Sequence, residues 1–216
     1  MIVNERIVSY IHSLEKSNSV VLEEIEKEAI ATYVPIIRKE MESFLRVMLT
    51  IKQPKRILEL GTAIGYSAIL MSEYMPKNCV IDTIENYDKR IPIAKENFER
   101  AGVSDKINLY EGDAMEIMPT LKHKYDFVFM DAAKAQYIYF LPLLKDLMED
   151  GAILITDNVL QDGDIIESRF GVTRRNRTIH SRMREYMYEI KNSDDFETTI
   201  VPIGDGITMS VKKERK

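Results

Sequence analysis

The chain has 216 residues, 45% of them hydrophobic and 30% charged, with a formal net charge of −5. That length suits one α/β domain, residues 1–216, and no apolar run approaches the roughly 20 residues that a membrane-spanning helix needs. The charged, amphipathic start does not read as a secretory signal. The single cysteine, Cys79, excludes an internal disulfide, and His12, His123 and His180 are too scattered for a zinc cluster, so the expected setting is a reducing cytoplasm.

Residues 1–53 carry apolar positions at helical spacing, Ile7, Tyr10, Ile11 and Leu14, then Phe44, Leu45, Met48 and Leu49. They predict helices laid against a larger body, residues 54–216, as a lid or a dimer interface. After Pro54 the period changes. Near-continuous apolar runs at 56–60, 80–84, 107–110, 127–130 and 152–155 predict strands buried on both faces of a parallel sheet. Helical stretches at 67–74, 89–101 and 137–148 separate them, and the alternation predicts a doubly wound, Rossmann-like α/β fold. At the end, β-rich runs at 198–203 and 207–211 flank Gly204-Asp205-Gly206 and predict an antiparallel hairpin. Pro202 inside the first run lacks a ladder donor and predicts an edge or a bulge.

The segment from Ile57 to Ser67 reads as a strand, a turn with Gly61 and Gly65, and a helix start. Its G-x-x-x-G spacing differs from the G-x-G-x-x-G loop that meets a pyrophosphate, which disfavours a nicotinamide cofactor. Glu59 would repel phosphate and could hold the cationic part of a nucleoside such as S-adenosylmethionine. Glu85 ends the next strand, where an acid accepts ribose hydroxyls. Asp113, followed by Ala114, ends the third and could meet an adenine amino group. Ordinary turn and helix-cap roles are the alternative for these residues.

Two further strands end in acid, at Asp131 and at Asp157-Asn158. As neighbours they would form an oxygen-only set suited to Mg2+. Such a cation would acidify a substrate hydroxyl, and Lys134 could take the proton or hold the oxyanion. A plain turn after the strand is the alternative reading of Asp157-Asn158.

The motif Glu59-Leu-Gly-Thr-Ala-Ile-Gly-Tyr-Ser-Ala-Ile69 and the two acidic strand ends resemble the cation-dependent class I O-methyltransferases, which include catechol and caffeoyl-coenzyme A enzymes. The resemblance runs from about Tyr33 to the last hairpin. It implies cofactor contacts at Glu59, Gly61, Ser67, Glu85, Asp113 and Asp131, with Ile37 lining the site. It also implies metal ligands at Asp131, Asp157 and Asn158, a base at Lys134, and a homodimer.

The net charge hides an uneven distribution. Arg169, Arg174, Arg175, Arg177, Arg182 and Arg184 fall within 16 residues that hold no acid, and removing those six charges from −5 leaves −11 for the other 200 residues. Read as an insertion overhanging the site, this stretch would contact phosphates. Alternatively, its arginines pair with acids of this chain or of a second copy. The whole chain also resembles the bacterial tRNA 5-hydroxyuridine methyltransferases, through Val34-Pro35-Ile36, Asp131-Ala-Ala-Lys134, Thr156-Asp-Asn-Val-Leu160, the arginine stretch and Pro202-Ile-Gly-Asp-Gly206. That resemblance implies O-methylation of 5-hydroxyuridine in tRNA. It departs at Gln161-Asp162-Gly163, where a lysine would be expected. Two other readings stand beside it: the same chemistry on a catechol-like small molecule, and a non-catalytic RNA-binding protein.

Overall fold

The computed structural model describes residues 3–214, so Met1, Ile2, Arg215 and Lys216, the ends of the expected span, lie outside the described residues. Three helices come first: α1 (Glu5–Leu14), α2 (Val20–Ala31) and α3 (Lys39–Lys52). Side chains cap two of them, Asn4 accepting from the Arg6 amide of α1 and Ser19 from the Leu22 amide of α2. Gln53, at φ 49°, ends α3 just before Pro54. Helices α2 and α3 bury Leu22, Ile25, Met41, Leu45 and Leu49, whereas α1 buries none of its residues.

The sheet comprises β1 (Arg56–Leu60), β2 (Val80–Glu85), β3 (Ile107–Glu111), β4 (Tyr125–Met130), β5 (Met148–Thr156), β6 (Phe196–Val201) and β7 (Ile207–Lys212). Its order is β3-β2-β1-β4-β5-β7-β6, with β7 antiparallel to both neighbours and the first five strands parallel. Helices α4 (Tyr66–Tyr74), α5 (Ile91–Arg100), α6 (Ala114–Ile117), α7 (Tyr137–Leu147) and α8 (Arg177–Asn192) connect the strands. This is the doubly wound fold that the alternating periods predict.

Side chains alternate across each strand, so the central runs feed two cores. Ile57, Phe127, Phe129, Ile153 and Ile155 pack with α2, α3 and α4 on one face. Leu58, Val128, Met130 and Leu154 pack with α7 and α8 on the other. Strand order reverses between β1 and β4, and the loops leaving their carboxyl ends part there to form a crevice.

Three boundaries differ from the sequence expectation. Strand β5 starts at Met148, directly after α7, and its register against β4 shifts between Tyr125 and Phe127; the exposed Glu149-Asp150-Gly151 masks this start. Strand β6 stops at Val201 because Pro202 has no N–H to continue the ladder, which lengthens the hairpin turn to 202–206. The arginine stretch is not an overhanging insertion. Its second half is α8, a crossover helix that buries His180, Met183, Tyr186 and Ile190.

Candidate active site

Gly61 follows β1 at φ 98°, and a Cβ there would lie 2.1 Å from the Asp131 carbonyl oxygen. Only glycine fits that crossing. The Gly61 amide donates to the Ile84 carbonyl at 3.0 Å, and the Asp131 amide donates to the Leu60 carbonyl at 2.9 Å. Gly65, at φ 85°, opens α4 against the Phe98 ring, 2.5 Å from where a Cβ would stand. Gly61 thereby draws the ends of β1, β2 and β4 together, and Gly65 seats the start of α4 against α5.

Glu59 is fully buried under this loop, where its carboxylate accepts from the Ser67 hydroxyl at 2.6 Å and the Thr83 hydroxyl at 2.5 Å. Burial pushes its carboxyl up to about 7 against the pull of those two donors. Ser67 lines the cavity above; Glu59 does not, so it acts as the loop's anchor. Glu85 is also held by the backbone. One oxygen accepts from the Ala63 amide at 2.7 Å, the other from the Asn86 and Tyr87 amides at 3.0 and 2.9 Å. Asp113 caps α6 through the Met115 amide at 2.7 Å.

One cavity of about 660 Å3 joins the rest. Ile37, Gly61, Ser67, Glu85, Asp113 and Ala114 line it on the β2 and β3 side, and Asp131, Lys134, Asp157 and Asn158 on the β4 and β5 side. Its volume lies within the range of small-molecule sites.

The acids on the β4 side are crowded. The Asn158 amide donates to Asp157 Oδ1 at 2.6 Å, its Nδ2 donates to Asp131 Oδ1 at 3.3 Å, and its backbone sits at φ 64°. Burial, then the charge of Asp131, pushes the Asp157 carboxyl up to about 7. Burial also raises Asp131, while the nearby Lys134 ammonium holds it down. Among the described residues no three His, Cys, Asp or Glu side chains are grouped to hold a metal ion. The carboxylates of the buried Asp157 and the half-buried Asp131, with the Asn158 carboxamide, nevertheless fit a hard divalent cation that keeps positions for water and substrate oxygens.

Asp205 and Arg38 also line this cavity, and the sequence reading missed both. Arg38 Nη2 pairs with Asp205 at 2.7 Å and with Asp162 at 3.6 Å, so acid rather than base occupies the departing 161–163 segment. The Val159 and Leu160 amides donate to the Gly206 and Asp205 carbonyls, both at 2.9 Å, and lock the hairpin turn to the loop bearing Asp157. An acid between two glycines was the available signal, and it read as turn chemistry.

The arginines divide. Arg169, Arg174, Arg175 and Arg184 are exposed; Arg177 and Arg182 are half-buried. Arg182 Nη1 donates to the Ala135 carbonyl at 3.3 Å, beside Lys134, and its guanidinium lies over the Tyr139 ring. Among the described residues none of the six forms an ion pair with a carboxylate.

The doubly wound sheet, its glycine loop and the acids at successive strand ends define a Rossmann-like class I methyltransferase fold. An O-methyltransferase from Bacillus cereus, solved with SAH, shares that fold at TM-score 0.85 and 24% identity, covering 96% of this chain and 97% of that one. The SAH-bound methyltransferase PaMTH1 of Podospora anserina superposes at TM-score 0.87 with 25% identity over 97% of this chain and 95% of its own. The O-methyltransferase family model matches residues 11–213, and the chain belongs to that family. A catechol O-methyltransferase of Niastella koreensis is 34% identical over 128 residues, 57% of this chain and 58% of that enzyme, so the match spans little more than half its length. Tapetum-specific methyltransferase 1 of Arabidopsis thaliana is 31% identical over 170 residues, 77% of this chain and 73% of its own.

Proposed function

We propose that the chain methylates the 5-hydroxyl of 5-hydroxyuridine in tRNA to give 5-methoxyuridine, using S-adenosylmethionine and a divalent cation such as Mg2+. The observation that carries the RNA choice is the seating of α8. Arg182 holds the turn that carries the cavity-lining Lys134, and so ties to the cavity's edge a basic segment whose arginines, among the described residues, form no ion pair with a carboxylate. Phosphate contacts suit such a border, and single-stranded loops present splayed bases to it.

S-adenosylmethionine supplies an electrophilic methyl group on a sulfonium. Glu85 would accept from its ribose hydroxyls, Asp113 and Ala114 would meet the adenine, and Ser67 and Ile37 would wall the remainder. A divalent cation at Asp131, Asp157 and Asn158 supplies a Lewis acid that makes the acceptor hydroxyl easier to ionise. Lys134 Nζ would take that hydroxyl proton as the neutral amine, or hold the resulting oxyanion as the ammonium. The oxygen would then bond to the methyl carbon as the carbon–sulfur bond breaks, that bond's electron pair leaving with sulfur.

A small-molecule reading has specific support, since relatives include catechol O-methyltransferases. Labelled S-adenosylmethionine offered with Mg2+ to an anticodon arm containing 5-hydroxyuridine and, separately, to catechol separates the two. Transfer to the RNA supports our reading. Transfer to catechol alone overturns it.

A further inference from the structure

A second hollow, of about 400 Å3, lies outside the cavity where the chain before α8 folds back on that helix. Its walls are Glu167, Ser168, Arg169, His180, Ser181 and Arg184. His180, Ser181 and Arg184 share one face of α8, three and four residues apart. Arg182 lies off that face and reaches the carbonyl of Ala135, next to the cavity-lining Lys134, so one helix joins the hollow to a turn at the cavity's edge.

The hollow is rich in donors. Arg184 Nη1 donates to the Ile165 carbonyl at 3.0 Å, which orients the guanidinium and leaves its other N–H groups free for a ligand. Arg169 is exposed and, among the described residues, pairs with no acid. Hydroxyls come from Ser168 and Ser181. The one carboxylate, Glu167, stands against Gly171, with an oxygen 3.3 Å from where a Cβ on that glycine would be. His180 is 2% exposed, and its Nε2 lies 3.1 Å from the Glu167 carbonyl oxygen. A carbonyl can only accept, so Nε2 donates. With Nε2 donating, the buried Nδ1 of the neutral ring is an acceptor without a partner among the described residues, so the arginines and hydroxyls carry the site's preference for an anion.

Two guanidiniums and two hydroxyls suit a phosphate, whose non-bridging oxygens accept several charge-assisted hydrogen bonds and pair with a guanidinium in the bidentate manner. We propose that this hollow is a phosphate subsite that seats one backbone phosphate of the RNA whose modified nucleotide enters the cavity. The site's phosphate chemistry stands on the hollow itself; the RNA source rests on the proposed function above.

The test uses the full chain, with Ser181→Glu to place a competing carboxylate and Arg169→Ala as an exposed change that spares the fold. Inorganic phosphate is titrated against each at matched ionic strength, following the His180 ring resonances, assigned with His180→Gln. Binding of the anticodon arm is then measured across a salt series. We expect saturable phosphate-dependent shifts in the wild type that Ser181→Glu abolishes. Both variants should weaken RNA binding at least about tenfold and lower the salt slope by about 0.7, the loss of one single-strand phosphate contact. RNA binding unaltered by both variants, with no saturable phosphate response, overturns the subsite and leaves the RNA reading intact. A saturable response at His180 without any RNA binding keeps the phosphate site and overturns the RNA reading. If neither ligand binds, both fall.

Discussion

At the scale of single residues, the site depends on charges placed where water cannot reach them. Asp157 combines burial with a neighbouring acid, an arrangement that a cation relieves. Asp157→Ala should therefore cut methyl transfer by more than about 100-fold, the upper end for losing an outer-shell metal partner. Cofactor affinity, measured by calorimetry, should stay within about threefold, because the Glu85 and Asp113 side is untouched. A fully active variant would remove Asp157 from the metal site. Glu59 gives a test of a different kind. Its carboxyl sits at about 7 instead of 4.5, so the folded state holds that proton more tightly than the unfolded chain does. Its stabilising contribution is complete below about pH 4.5 and is lost as pH rises to about 7. Glu59→Gln lacks that loss, so its stability relative to wild type should improve between those two pH values, by about 1.4 kcal/mol for each pH unit crossed, and then level off. Urea melts at pH 4.5 and pH 8 check this; an equal difference at both would show that Glu59 is ionised in the fold. The sequence showed the acids at strand ends. It could not show that Glu59 turns beneath the loop, because that depends on Ser67 and Thr83 converging from α4 and β2.

Among elements, the strands were legible because parallel strands buried on both faces read as continuous apolar runs. Helix α8 was not, because its apolar stripe of Met183, Tyr186 and Ile190 is interleaved with arginines whose charge dominated the reading. The hairpin turn was legible as a turn but not as part of the site, since its contact with the Asp157 loop joins residues distant in sequence. Gly206 tests that contact. It sits at φ 80°, and a Cβ would stand 2.2 Å from Leu160 Cγ. Gly206→Ala should cost roughly 1–3 kcal/mol by overpacking and shift the loop that carries Asp157 and Asn158. Thermal melting and Mg2+ titration should thus move together. A destabilised variant with unchanged Mg2+ dependence would separate the hairpin from the metal site.

Across the whole molecule, the net charge of −5 conceals a basic segment beside an acidic remainder. RNA binding should accordingly be local and salt-sensitive, and catechol turnover nearly salt-independent. Helix α1 exposes Ile7 at 53%, Tyr10 at 65% and Leu14 at 66%, and it touches α3 through the His12 contact with Glu40 at 2.6 Å. We propose that a second copy covers this face. Light scattering should then report twice the chain mass of 25.0 kDa, and Tyr10→Glu should halve it. A monomeric wild type would contradict the proposal.

The most direct measurement of the central claim is mass analysis of nucleosides from tRNA carrying 5-hydroxyuridine, after incubation with the chain, S-adenosylmethionine and Mg2+. The account predicts 5-methoxyuridine with the wild type and none with Asp157→Ala. Unchanged 5-hydroxyuridine in the wild-type reaction, under conditions where the same preparation methylates catechol, would contradict it.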